Sequence, residues 1–136
     1  MNFFEKELRG MFQRRKLLKD SVFCGKAMLA KLDDELRIRL EFVISNTIDK
    51  YTGIEAKIIN RTGGMVDRNV FRFADIIGMK ETPLCGKREP YIWVEPDKTA
   101  SWYTPVNDAE KQRIADAVMA YVELYQTPQQ EPEMKM

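Results

Sequence analysis

The chain has 136 residues and a mass of 15.9 kDa, with 44% hydrophobic, 10% aromatic and 32% charged residues. That is room for one ordinary domain with a real core, and it excludes collagen-like, low-complexity and wholly disordered classes. There is no histidine, and 22 Lys+Arg against 21 Asp+Glu leave a formal net charge of +1, so Ser-His-Asp and Cys-His catalysis and histidine-bearing zinc sites are removed, and gripping nucleic acid by net charge alone starts with a handicap.

From Asn2 to about Arg15, Phe4, Leu8, Met11 and Phe12 fall at helical spacing and predict an amphipathic helix, slightly weakened by Gly10. Basic residues cluster from Arg9 to Lys19 without an intervening acid. Cations near a helix C-terminus also complement its dipole. From Val22 the period changes to two. Phe23 to Leu32 reads as one strand, Asp33-Asp34-Glu35 as a hairpin link, and Leu36, Ile38, Leu40, Phe42 and Ile44 as the buried face of a second strand. Ile54, Ala56 and Ile58 form another inward set after Thr52-Gly53. Thr62-Gly63-Gly64 supplies a hairpin turn. The next strand runs from Met65 to Phe73, with Phe71 and Phe73 expected inward and Arg68 and Arg72 outward.

Alternation fails at Ala74–Gly78, where a short helical turn ended by Gly78 fits better. Met79 to Pro90 reads as a surface loop. Tyr91–Val94 and Ala100–Tyr103 read as two short strands. Asn107-x-x-Glu110 is a capping box that opens a second amphipathic helix carrying Ile114, Ala117, Val118, Tyr121 and Tyr125. The expected fold is therefore α+β, an antiparallel meander of five or six strands flanked by an N-terminal and a C-terminal helix. Residues 1–126 form one domain in this reading, and 127–136 form a disordered tail.

Chemical motifs are sparse. Thr62-Gly63-Gly64 lacks a following Lys-Ser/Thr and opens no helix, so neither phosphate-binding fingerprint is present. Asp33, Asp34 and Glu35 lack the calcium-loop spacing, and turns attract Asp for local reasons. Asp67 and Glu95 are a formal carboxylate pair whose convergence the sequence does not show. Cys24 and Cys85 make no C-x-x-C motif, although Lys87 and Arg88 would favour a thiolate at Cys85. Asn60-Arg61-Thr62 matches a glycosylation sequon, which is empty without a secretory route. No signal peptide or bilayer-length apolar run is present, so a cytoplasmic location is expected. The reading contains no catalytic residue, cofactor or metal.

Two surfaces remain. Tyr91, Trp93, Trp102 and Tyr103 put four large aromatics into a short segment, and such rings serve either as sheet cover or as a partner surface. Arg14, Arg15, Lys16, Arg37 and Arg39 are the basic residues for a nucleic-acid surface, but the strand aromatics fall on the buried set, where they cannot stack bases. Outward-facing Arg37, Arg39, Lys57, Arg68 and Arg72 are interspersed with Glu41, Glu55 and Asp67, the pattern of a solvated, cross-paired face. Expectation therefore centres on a non-enzymatic protein-interaction or adaptor module, with a nucleic-acid-binding factor and a small-molecule binder as alternatives.

Four phrases carry a family resemblance: Met1–Leu8, Lys31–Arg37, Ile59–Asp67 and Phe71–Gly78. They resemble a group of small uncharacterised proteins carried on conjugative transposon-like elements of Gram-positive gut bacteria. The resemblance implies a bacterial setting as accessory cargo of a mobile element. It transfers no functional residue.

Overall fold

The computed structural model describes residues 3–15, 22–24, 27–45, 50–81, 86, 88–90, 92–93, 104 and 106–125. Helix α1 (Phe3–Arg14) is followed by strands β1 (Val22–Cys24), β2 (Ala27–Lys31), β3 (Leu36–Ser45), β4 (Lys50–Asn60) and β5 (Met65–Arg72). Then come α2 (Phe73–Ile77), the short strands β6 (Lys80–Glu81), β7 (Arg88–Glu89) and β8 (Ile92–Trp93), and helix α3 (Asp108–Tyr125). The main sheet has six strands in the order β1-β2-β3-β4-β5, with β8 also pairing β4, while β6 and β7 form a separate ribbon. All pairings are antiparallel. The fold is α+β, as the pattern predicts.

Alternation sorts the two faces. Ile38, Leu40, Ile54, Ala56 and Ile58 are buried on one side, and Leu8 and Phe12 of α1 and Ile114, Val118 and Val122 of α3 join them in one core. Each fully buried aliphatic or aromatic side chain stabilises the fold by about 1.5–3 kcal/mol over leaving it in water, so Leu8 and Phe12 are enough to fix a twelve-residue helix too short to persist alone. Both helices therefore lie on one face of the sheet. At the start of α3 the expected capping box is formed: the Glu110 amide donates to Asn107 Oδ1 at 2.8 Å, and the Asn107 amide donates to Glu110 Oε1 at 3.1 Å.

The turns use side chains as predicted from their composition. Asp33 Oδ1 accepts from the amides of Glu35 (2.8 Å) and Leu36 (2.7 Å), which explains the acidic link between β2 and β3 as turn chemistry. Asn60 Oδ1 accepts from Thr62 N, Thr62 Oγ1 and Gly64 N at 2.7–3.1 Å. That asparagine staples the β4–β5 hairpin, and Gly63 there takes a φ of 96° that glycine tolerates without strain.

Three expectations are corrected. The single strand expected over Phe23–Leu32 is a hairpin, because Cys24 pairs with Ala27 and leaves only two residues for the reversal. Within the segment expected as a loop, Lys80–Glu81 pairs with Arg88–Glu89. Phe73 is not a strand residue but the first residue of α2, buried to 1% exposure where the chain leaves the sheet. The vacated lane beside β4 is taken by β8, with Tyr51 opposite Ile92 and Lys50 opposite Trp93. The strand expected at Ala100–Tyr103 and the tail from 127 to 136 lie outside the described residues.

Candidate functional site: a charge-banded sheet face

Among the residues whose side chains are described, the sheet face opposite α1 and α3 carries, from β2 to β5, six basic residues (Lys31, Arg37, Arg39, Lys57, Arg68, Arg72) and two acidic ones (Glu41, Glu55). Both α1 and α3 pack on the other face. The register sorts these charges into bands that run across the strands. Lys31 stands opposite Arg37; Arg39 stands opposite Lys57, and Lys57 opposite Arg68; Glu41 stands opposite Glu55. Neighbouring strands lie about 4.8 Å apart and successive same-face residues about 6.7 Å apart. The face is thus a two-residue cationic band, a three-residue cationic band and an acidic band, side by side.

Direct opposition of like charges destabilises a sheet, whereas opposite charges facing each other would contribute roughly 0.2–1 kcal/mol per pair. Here the compensating contacts run along the strands or diagonally: Arg39 to Glu41 at 3.3 Å, Lys57 to Glu55 at 3.7 Å, and Arg68 to Glu55. Two carboxylates therefore serve three cations. Lys31 reaches Asp34 at 3.4 Å, and Arg37 donates to the carbonyls of Asp33 (3.0 Å) and Leu36 (3.2 Å). A local rule broken four times on the face opposite both helices marks a surface shaped by something other than the sheet's own stability. Leu29, Ile59 and Val70 stand among the charges on this face, each half-buried.

Asp67 does not belong to that face, contrary to expectation. It stands opposite Ile58 on the helix side and accepts hydrogen bonds from Tyr121 (2.8 Å) and Tyr125 on the same oxygen. Those hydroxyls, with Tyr125 the stronger influence, hold the Asp67 carboxyl below its usual range. Burial first, and then the Asp67 carboxylate, push the Tyr121 hydroxyl far above its ordinary value. Nothing in the sequence spacing links residue 67 to 121 and 125. The Tyr121 ring packs on Phe71 at 5.5 Å and on Tyr125 at 5.4 Å between centroids, so the cluster is filled by its own rings and works as a clasp between α3 and β5. An inward-pointing carboxylate and the register shift at Ile58/Ile59 also blunt β5 against strand addition.

The remaining candidates are dispersed. Arg14 is exposed at the end of α1, and Arg15 is paired with Asp116 of α3. Both sit in the helix layer, on the opposite side of the sheet from Arg37 and Arg39, so the basic set expected for nucleic acid does not form one surface. Lys16, Tyr91, Trp102, Tyr103, Cys85 and Glu95 lie outside the described residues, and Trp93 is described only as a strand position opposite Lys50. Among the described residues no group of three or more Cys, Asp or Glu side chains is placed to hold a metal ion. A crevice of about 10 Å³ between α1 and the sheet, lined by Phe12, Met28, Leu40, Phe42 and Ile54 with the buried Arg9, has room for about one water molecule and is far below the roughly 300–1,000 Å³ of ordinary ligand pockets. No described helix is long and apolar enough to cross a membrane. Comparison of the chain with protein-family models, curated proteins and solved structures finds no match in any of the three.

Proposed function

We propose that the protein is a non-enzymatic interaction module that holds a protein partner on the charge-banded face of its sheet. The observation that carries this reading is the charge banding. Arg39, Lys57 and Arg68 stand directly opposite one another in adjacent strands and share two carboxylates among three cations, an arrangement whose cost is offset when an external group of opposite charge adds a further counter-ion. A protein fits better than nucleic acid. The half-buried Leu29, Ile59 and Val70 among the charges reward apolar contact, which a phosphate backbone does not supply. The resemblance to proteins of conjugative elements suggests accessory cargo as the setting.

The test is affinity capture of the tagged protein from its host, with and without nuclease, in parallel with the triple variant Arg39→Gln/Lys57→Gln/Arg68→Gln. This reading expects a defined protein that survives nuclease and is lost with the variant. Partners that disappear with nuclease move the assignment to nucleic acid, and a partner retained by the variant removes the sheet face from the account.

A further inference from the structure

Resting on the interaction-module reading, we infer that the partner presents an acidic segment that lies across the strands, with its carboxylates along the Arg39–Lys57–Arg68 band. The two adjacent cationic bands hold five basic residues and no acid, and the acidic band lies to one side only, so attraction is directional and an anionic segment registers on the cationic side. Three cations at about 4.8 Å intervals span about 10 Å. Carboxylates on alternate residues of an extended segment are spaced about 6.7 Å apart, and those four apart on a helix about 5–6 Å between Cβ atoms; either spacing places two carboxylates along the band. Side chains of Arg39 and Lys57 keep 37% and 32% of their exposure, while the competing Glu55 keeps 19%. The cations are thus reachable by a partner, and the internal carboxylate that partly satisfies two of them lies deeper.

The distinguishing feature is the opposite sign of two variants. Fluorescence anisotropy with a labelled peptide of alternating glutamate and leucine, its glutamine counterpart, and single-stranded oligothymidylate separates the possible occupants. The acidic peptide is expected to bind more tightly than the glutamine peptide. Arg39→Gln/Lys57→Gln/Arg68→Gln weakens that binding about tenfold, and Glu41→Gln/Glu55→Gln strengthens it about two- to fivefold, because the first removes attraction and the second removes repulsion. Equal binding of acidic and glutamine peptides, or an unchanged affinity in both variants, overturns the inference. Tighter binding of oligothymidylate with the same variant dependence overturns it in favour of nucleic acid. Failure of the acidic peptide alongside a capture experiment that yields a variant-sensitive protein refutes the acidic segment while leaving the module reading standing.

Discussion

Replacing Lys57 by Gln should stabilise the protein, although it removes an ion pair seen in the structure. Lys57 faces Arg39 on one side and Arg68 on the other. Each like-charge opposition costs on the order of 0.2–1 kcal/mol, and the substitution relieves two of them. Against that stands the loss of the contact to Glu55 at 3.7 Å, with Lys57 about one-third exposed. Such a pair is worth about 0–1 kcal/mol after solvent screening. Glu55 also keeps Arg68, so no buried carboxylate is orphaned. The balance is a gain of about 0.5 kcal/mol, or roughly 2 °C in melting temperature for a domain of this size. Urea denaturation at about 0.02 M and 0.5 M salt checks it, since the gain should shrink as the Debye length falls toward 4 Å. A loss of 0.5 kcal/mol or more at low salt, about the same size as the expected gain but of opposite sign, would mean that the cations are stabilised by their own carboxylates. The banding would then be a solvated ion-pair lattice, and the argument for a partner would fail.

Gly53 sits where a β-carbon would stand 2.3 Å from the Phe71 carbonyl oxygen, a backbone atom that cannot rotate away; Gly53→Ala should cost about 3 kcal/mol or more in denaturant unfolding, at the top of the overpacking range. Asn107→Ala removes the acceptor for the Glu110 amide and should cost about 1 kcal/mol, read by the same titration. The carboxyls of Asp67, Asp116 and Glu110 are all held below their ordinary values. Tyr125 and Tyr121 hydroxyls do this for Asp67, and Arg15 and Gln112 do it for Asp116. At Glu110 burial opposes the shift, but Lys80 and the Asn107 amide outweigh it. Their stabilisation is present above about pH 4 and is lost as pH falls through the lowered folded values. Tyr121 works in the other direction: its raised value stabilises the fold below about pH 10, and that stability is lost as pH rises further. A stability profile by thermal melts should therefore show both limbs, and Tyr121→Phe should flatten the alkaline one; an alkaline limb unchanged in that variant would refute the clasp.

The fold was largely legible because its elements obey local rules. Period-two alternation in Leu36–Ile44 and Ile54–Ile58, the Asn107/Glu110 box and the Gly63 turn each carry a short-range signal, and each is found where that signal puts it. The β1–β2 reversal was missed because apolar residues on both sides of Gly25-Lys26 read as one continuous strand. The site was far less legible. Which residues are outward follows from alternation, but which charge faces which depends on register, and register is set by pairing that no local pattern announces. Arg39, Lys57 and Arg68 are 18 and 11 residues apart in the chain, and they become neighbours only through the β3–β4 and β4–β5 ladders. Asp67 was legible in part: it lies four residues before the inward Phe71 and next to the outward Arg68, so alternation along β5 places it on the helix side with Ile58, although nothing local announces Tyr121 and Tyr125 as its partners.

Zero-length carbodiimide coupling of the tagged protein in host extract, followed by mass spectrometry, tests the central claim most directly because it joins a lysine amine only to a carboxylate it already touches. The account predicts intermolecular links from partner Asp or Glu residues to Lys57 and Lys31, which vanish from Lys31 when Arg39, Lys57 and Arg68 are replaced by glutamine. Links confined to Lys6 on the helix layer or to Lys80 in the β6–β7 ribbon, with none on the sheet face, would contradict it.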